Sequence, residues 1–221
     1  AQYLINFLEE EKVDTSHITI KEGKNAFSKV RTDSGKSEII MVDKGVYKDF
    51  SLQNKDLKFI SQFDFLHTTL YSYTEKYLAD FKESDLTISF DYSFCKEKNY
   101  LAKTAPYIDL AFFAAEKEDI EKMKELMASV EEMGPDYVIA TLGEEGVLLL
   151  NNDKFYYQSA PEIELVDNLG AGDAFISSFL VQFSSSKKRD ELNLQEILKK
   201  ASQKAAETCT HYGTIKGSSL P

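Results

Sequence analysis

Two hydrophobic periods alternate along the chain, and their order predicts strands that are separated by helices. Short runs rich in β-branched and aromatic residues are typical of strands, and apolar residues three and four apart are typical of helices. The strand-like runs are residues 63–69, 86–91, 108–113, 137–141, 147–150, 154–157 and 163–166. The helix-like stretches are residues 1–12, 54–61, 74–82, 117–133, 172–183 and 193–211. Strands that alternate with helices form βαβ units, so the pattern predicts an α/β fold with a mainly parallel sheet. The hairpin of residues 147–157 is expected at the edge of that sheet.

A second β-rich region lies near the start of the chain. Residues 17–21, 26–32 and 38–42 are strand-like, and the polar breaks between them are typical of hairpin turns. These stretches predict an antiparallel three-stranded flap with one face over something apolar. The predicted organisation is therefore an α/β core of residues 1–16 and 46–221 with a β-stranded lid of residues 17–45.

Composition and charge exclude several classes of function. The 221 residues carry a formal net charge of −11, which disfavours nucleic acid and anionic membranes as partners. Cys95 and Cys209 lie too far apart for a zinc motif, and His17, His67 and His211 form no helix-spaced metal pair. The chain shows no signal peptide and no apolar run long enough to span a bilayer, so a cytoplasmic location is predicted.

One short segment carries the strongest chemical signal. Gly170, Ala171, Gly172 and Asp173 precede a helix that is almost entirely apolar and is therefore expected to be buried. The first N–H groups of a helix lack intrahelical partners, and glycines let a phosphate approach them closely. A carboxylate at that position can accept the proton of an attacking hydroxyl. The alternative is that Asp173 only caps the helix and that the glycines only make a tight turn.

A longer motif around this segment favours the phosphate site. Residues 166–175 read V-D-N-L-G-A-G-D-A-F, which resembles the V-D-T-x-G-A-G-D-[AS]-F signature of the ribokinase-like (PfkB) carbohydrate kinases. The resemblance implies a three-layer α/β/α core with a small β-stranded lid. It also implies that Asp173 is the catalytic base and that Gly170, Ala171 and Gly172 form the anion hole for the γ-phosphate. Asn168 replaces the usual Thr, which puts a monovalent-cation site for K⁺ beside Asp167 in question.

Two further segments resemble the nucleotide site of the same family. Residues 141–146 read T-L-G-E-E-G and are similar to the T-L-G-x-x-G turn that lies along the nucleotide, which assigns Thr141, Gly143 and Gly146 to it. The segment that contains His211 and Gly213 is similar to the wall of the adenine site. The resemblance implies ATP and Mg²⁺ as cofactors and a small sugar as the substrate.

The metal and sugar motifs depart from the family pattern. The family's N-x-x-E motif is matched by residues 114–119, where Ala114 replaces the Asn and Glu118 is the remaining candidate for the metal shell. The family's D-x-N-x-R is matched by residues 91–95, where only Asp91 is kept. These losses, together with residues 44–50, are similar to a subgroup that resembles fructoselysine 6-kinase. Lys44, Gly45 and Asp91 are therefore the predicted substrate contacts.

Three functional hypotheses follow. The first is an ATP-dependent kinase that phosphorylates a hydroxymethyl group of a sugar or of a fructosamine-type compound. The second is a relative that binds nucleotide and sugar without catalysis, and the third is a nucleoside kinase of the same fold. Family members also carry a strand, a sugar-binding Asp and a G-G-N segment upstream of the position that is residue 1 here, so the sequence is expected to be a fragment. The apolar residues 39–42 of the lid are expected either to cover the sugar or to form a homodimer.

Overall fold

Four parallel strands form the centre of the protein. The computed structural model describes residues 1–33, 36–115, 119–185 and 192–213. Within them, one sheet has the strand order β3–β4–β5–β6–β7–β8, in which β3 to β6 are parallel and β7 and β8 are antiparallel. Its strands are β3 (Phe65–Thr69), β4 (Thr87–Asp91), β5 (Leu110–Ala114), β6 (Tyr137–Thr141), β7 (Val147–Asn151) and β8 (Lys154–Gln158). The hairpin β7–β8 lies at the edge of the sheet, as the sequence predicts.

Helices cover both faces of this sheet. They are α2 (Asn54–Ile60), α3 (Leu78–Lys82), α4 (Lys98–Thr104), α5 (Ile120–Glu131), α6 (Ala171–Ser185) and α7 (Leu194–Thr208). A further helix, α1 (Gln2–Glu10), buries none of its residues. One core cluster contains buried residues of α3, α4 and α5, with α2 packed against it, and the other contains those of α6 and α7. Side chains of a strand alternate between faces, so β5 to β7 contribute to both clusters, and β4 contributes to the first. This arrangement confirms the three-layer α/β/α core.

The lid is smaller than the sequence predicts. It contains β1 (Phe27–Asp33) and β2 (Lys36–Asp43), which pair in antiparallel register, and residues 17–21 do not form the expected third strand. The ring of His17 instead stacks on Phe59 of α2 at a centroid distance of 3.5 Å, and its Nδ1 lies 3.6 Å from Asp56 Oδ1. Contact with α2 therefore replaces strand pairing at this segment. The limits of the lid at residues 17 and 45 stay a prediction.

Two other local expectations are wrong. Residues 163–166 are extended but form no strand, because the N–H of Val166 donates to the carbonyl of Cys209 at the end of α7, at 2.9 Å. Helix α6 is apolar nearly all round, yet it buries only the side that carries Phe175, Ile176, Phe179 and Phe183. Val181 on the other side is 65% exposed.

Across the parts of the chain that the structure describes, no helix is both long enough and apolar enough to cross a bilayer.

Candidate active site

The predicted site residues gather at the carboxyl ends of the parallel strands. Asp91 ends β4 and Thr141 ends β6. One strand, β5, lies between them, so the two positions are about 10 Å apart across the sheet, or two strand spacings. Ligands of open α/β sheets bind beyond this edge. The sheet therefore brings together motifs that are 50 residues apart in sequence (91 to 141).

The turn before α6 leaves helix amides open. Gly170 has a φ of +82°, which an L side chain rarely adopts, and this conformation starts the helix abruptly. The N–H of Ala171 donates to Asn168 O at 3.2 Å, and the N–H of Ala174 donates to Gly170 O at 2.9 Å. The N–H groups of Gly172 and Asp173 lie before the first intrahelical bond and have no acceptor in the helix. A Cβ built on Gly172 would meet nothing within 4 Å, so the protein leaves the space beside Gly172 open.

Two carboxyl groups meet at this turn. Asp173 is exposed as a residue, but its carboxyl is set back among protein atoms and this burial raises its pKa. Burial also raises the pKa of Asp91, a hydrogen bond from the N–H of Ser93 at 2.8 Å opposes the shift, and the negative charge of Asp173 adds to it. The charge of Asp173 therefore acts on the carboxyl group at the end of β4. The predicted base and a predicted substrate contact thus lie within electrostatic range of each other.

A buried carboxyl group holds the turn in place. Asp167 is only 4% exposed, and its Oδ1 accepts the N–H of Leu169 at 3.0 Å. Its Oδ2 accepts the N–H of Gly213 at 3.1 Å. Asp167 thereby joins the segment before α6 to the segment after α7. His211 is half-buried in that second segment, so the predicted wall of the adenine site lies next to the turn before α6.

The backbone conformation of the turn at residues 141–146 favours glycine at two positions, independently of any ligand. Gly143 has a φ of +62°, and Gly146 has a φ of +113°. A Cβ on Gly146 would lie 2.1 Å from the carbonyl oxygen of Gln158, so the close approach of β8 alone requires glycine there. Thr141 donates its hydroxyl hydrogen to Phe113 O at 3.3 Å. The roles of these residues toward a nucleotide stay predictions.

Lys44 and Gly45 lie where the lid joins the core. A Cβ on Gly45 would lie 2.3 Å from the carbonyl oxygen of Lys24, so a backbone contact explains this glycine. Lys44 lines a cavity of about 290 Å³ together with Tyr73 and Glu75, which sequence reasoning missed. Their position just beyond the end of β3, at the sheet's ligand-binding edge, is the signal that could have found them.

The structure does not describe the predicted metal contact. Glu118 lies outside the described residues, as does Lys117. Among residues that the structure does describe, no group of three or more His, Cys, Asp or Glu side chains is arranged to hold a metal ion.

Comparison with protein families gives the assignment of the whole chain. The model of the pfkB family carbohydrate kinases matches residues 1–221. The chain belongs to the pfkB family of carbohydrate kinases. It is therefore a phosphotransferase that acts on a sugar hydroxyl and uses ATP and a divalent metal, and a small-molecule sugar is its substrate.

Individual relatives agree with this assignment. Fructosamine kinase FrlD of Bacillus subtilis is 33% identical over 219 residues, which are 97% of this chain and 75% of the relative. Fructoselysine 6-kinase of Escherichia coli is 27% identical over 201 residues, which are 91% of this chain and 75% of the relative. The crystal structure of a ribokinase from Thermotoga maritima superposes with a TM-score of 0.75 at 20% identity, covering 96% of this chain and 72% of that one. The last comparison shows that the fold is ribokinase-like.

The contact between the two carboxyl groups predicts a pH effect. Replacing Asp91 by Asn removes a negative charge beside Asp173, so ionisation of Asp173 becomes easier and its pKa falls. We expect the acid limb of the kcat/KM profile to move to lower pH, measured with saturating ATP and the best sugar substrate. Asp80→Asn, a substitution on the exposed surface of α3, should leave the limb in place. An unmoved limb in Asp91→Asn would disprove the coupling.

Proposed function

We propose that the protein transfers the γ-phosphate of ATP to a hydroxymethyl group of a fructosamine, with Asp173 as the catalytic base. One observation carries the proposal: a carboxyl group with a raised pKa stands at an open helix start whose first amides lack helical acceptors. A base in phosphoryl transfer accepts a proton, and an anion must be bound beside it. The raised pKa of Asp173 favours the first requirement, and the helix start at Gly172 favours the second.

The residues divide the chemistry between them. Asp173 accepts the proton as the substrate oxygen attacks phosphorus. The N–H groups of Gly172 and Asp173, at the positive end of the α6 dipole, bind the oxygens of the transferring phosphoryl group. The Ala171 amide already donates to Asn168 O, so its part is to fix the turn. Gly170 supplies the sharp bend that aims the helix at the ligand.

The nucleotide is proposed to lie between two turns. Thr141, Gly143 and Gly146 flank one side, and His211 and Gly213 flank the other. We propose Mg²⁺ as the divalent ion, which would neutralise phosphate charge as the bond to phosphorus breaks, and Glu118 is its candidate protein contact. We propose K⁺ beside Asp167, a buried carboxyl group whose oxygens are the kind of hard donor that such a cation prefers.

The substrate class rests on the relatives and on the altered sugar motif. Two relatives that span most of the chain are named for fructosamine and fructoselysine. Asp91 is the retained member of the motif at the end of β4, and we propose that it binds a sugar hydroxyl next to Asp173. Lys44 and Gly45 are proposed to contact the substrate from the base of the lid.

The substitution Asp173→Asn tests the base. It keeps the size of the side chain and removes the proton acceptor, so kcat should fall by about 10²- to 10⁴-fold. Affinity for ADP, measured by calorimetry, should stay within about threefold, because the substitution leaves the backbone amides in place. Such a change is smaller than the tenfold difference in affinity that corresponds to about 1.4 kcal/mol. Ser177→Ala, on the exposed side of the same helix, is the matched control and should behave as the wild type.

Several outcomes separate the hypotheses. Retained turnover in Asp173→Asn would remove Asp173 as the base. Nucleotide binding without phosphorylation of any sugar or nucleoside would favour the binding relative, and preferential phosphorylation of a nucleoside would favour the nucleoside kinase. Wild-type turnover that is equal in KCl and in tetramethylammonium chloride would exclude the K⁺ site.

The lid suggests a second proposal, a homodimer through residues 17–45. The register of β2 shifts at Ile40, because Met41 pairs with Lys29 whereas Ile39 pairs with Val30. Ile39 and Val42 therefore lie on one face and Met41 on the other, and their exposed fractions are 55%, 61% and 42%. A two-stranded sheet with apolar residues exposed on both faces is not stable alone. We propose that one face covers the sugar and that the other pairs with the lid of a second copy.

Two variants test the lid proposal. Ile39→Lys with Val42→Lys charges one face only, and Met41→Lys charges the other. One variant should convert a dimer to a monomer in sedimentation experiments, and the other should keep the dimer and raise KM for the sugar. A monomeric wild type, or two variants that both keep the dimer, would contradict the proposal.

A further inference from the structure

The residue two positions after Asp91 has an uncommon backbone conformation. Ser93 has a φ of +52°, which lies in the left-handed region that L residues other than Asn and Asp seldom adopt. Asn, the residue of the D-x-N-x-R motif at this position, adopts this conformation more readily than Ser. Such a conformation costs free energy, and it persists in a folded protein where the surrounding contacts require it. The contacts of Ser93 explain why the chain keeps it.

The first contact of Ser93 is with the carboxyl group of Asp91. The N–H of Ser93 donates to Asp91 Oδ1 at 2.8 Å, so the side chain of Asp91 closes a turn on the backbone two residues later. Burial raises the pKa of Asp91, and this bond, which favours the ionised form, acts in the opposite sense. Because the backbone holds one oxygen of the carboxyl group, the direction of the other oxygen is set as well.

The second contact of Ser93 joins the ends of two strands. Its carbonyl accepts the N–H of Ala114, the last residue of β5, at 2.8 Å. The next residue extends the link, because the N–H of Ala115 donates to the carbonyl of Thr141 at the end of β6, at 2.8 Å. Backbone hydrogen bonds therefore run along the ligand-binding edge of the sheet from Asp91 to Thr141.

This link places Asp91 relative to the proposed reaction centre. Asp91 lies within electrostatic range of Asp173, and Thr141 begins the proposed nucleotide turn. Reacting atoms must lie about 3–3.5 Å apart, and a displacement of about 1 Å can lower the rate by about 100-fold. If the turn at Ser93 relaxed, the carboxyl group of Asp91 could rotate and the end of β4 could move relative to β5. The turn is thus placed to control where the substrate hydroxyl lies.

We propose that Ser93 is a positioning residue of the kinase, whose left-handed backbone orients the carboxyl group of Asp91 toward the substrate. The role belongs to the backbone conformation and not to the hydroxyl group of Ser93. The inference rests on the proposed function, in which Asp91 binds a sugar hydroxyl. It adds a residue that acts on the substrate only through Asp91.

Substitutions that differ in their tolerance of a positive φ test the proposal. Ser93→Val places a β-branched side chain in a conformation that it strongly disfavours, whereas Asn and Gly tolerate that conformation. In Ser93→Val, kcat/KM for the best fructosamine should fall by about 10- to 100-fold, and KM for ATP should stay within about threefold. Ser93→Asn and Ser93→Gly should behave as the wild type. Ser93→Ala, which removes only the hydroxyl group, should do so as well.

The substitution Asn152→Val is the matched control. Asn152 has a φ of +50° and is exposed in the turn between β7 and β8, beyond the start of β6 and so at the opposite edge of the sheet. The same strain there should lower the melting temperature without changing kcat/KM. A second measurement needs no turnover. Loss of the N–H bond should raise the pKa of Asp91 in Ser93→Val but not in Asn152→Val, measured from the ¹³C resonance of its carboxyl group.

The outcomes separate this inference from the proposed function. Wild-type kcat/KM in Ser93→Val, or an equal loss in Asn152→Val or Ser93→Ala, overturns the role of the turn and leaves the fructosamine kinase intact. If another sugar is phosphorylated but no fructosamine is, the proposed substrate class fails, and the same variants decide the inference with that sugar. If no sugar is turned over, the pKa of Asp91 decides. If Ser93→Val does not fold, Ser93→Thr and Asn152→Thr are compared in the same way.

Discussion

The site depends on one buried carboxyl group, that of Asp167. Its two oxygens bind backbone N–H groups on opposite sides of the site, those of Leu169 and Gly213. The carbonyl of Cys209 accepts the N–H of Val166 at 2.9 Å and so adds a second tie between the same segments. Because the turn before α6 is held at both ends, the start of that helix has a fixed position. Amides that are already held in position can bind a phosphoryl group without a free-energy cost of reorganisation.

The fixed helix start also sets the electrostatics. Helix α6 packs on the sheet through Phe179, which contacts Phe112 of β5, and this packing brings Asp173 to the end of β4 beside Asp91. Burial raises the pKa of both carboxyl groups, so a proton is easier to accept there than on a fully hydrated aspartate. The helix dipole acts in the opposite sense and favours the ionised form. Together they suit a group that exchanges a proton during the reaction.

Local sequence patterns predicted the elements but not the contacts between distant segments. Strand β6 has the predicted limits, and α6 and α7 lie where the apolar period placed them, because burial of one face controls these elements. The local pattern predicts a strand at His17, but the ring of His17 stacks on Phe59, which lies in a helix and 42 residues later in the chain. The predicted strand at residues 163–166 is wrong for the same reason, since these residues contact the distant end of α7 through Val166 and Cys209.

The candidate site also contains some residues that local sequence motifs predict and others that they do not. The signature around Asp173 is recognisable because its residues are adjacent in sequence, and Asp91 belongs to a second local motif. The cavity formed by Lys44, Tyr73 and Glu75 joins two segments that no local pattern connects. Gly146 and Gly45 were predicted as ligand contacts, yet backbone contacts alone require glycine at both positions. A glycine in a motif is therefore weaker support for ligand contact than a carboxyl group with a raised pKa.

The most direct test of the central claim is the response of individual amides to a mimic of the transferring phosphoryl group. ¹H–¹⁵N spectra would be recorded with ADP, Mg²⁺ and sugar, before and after fluoroaluminate is added. The account predicts strong downfield shifts for the amides of Gly172 and Asp173, because new hydrogen bonds form there, and little change for the amide of Gly134, which donates to Glu131 O at the end of α5. Unchanged Gly172 and Asp173 resonances on formation of the complex would contradict the placement of the phosphoryl group at the start of α6.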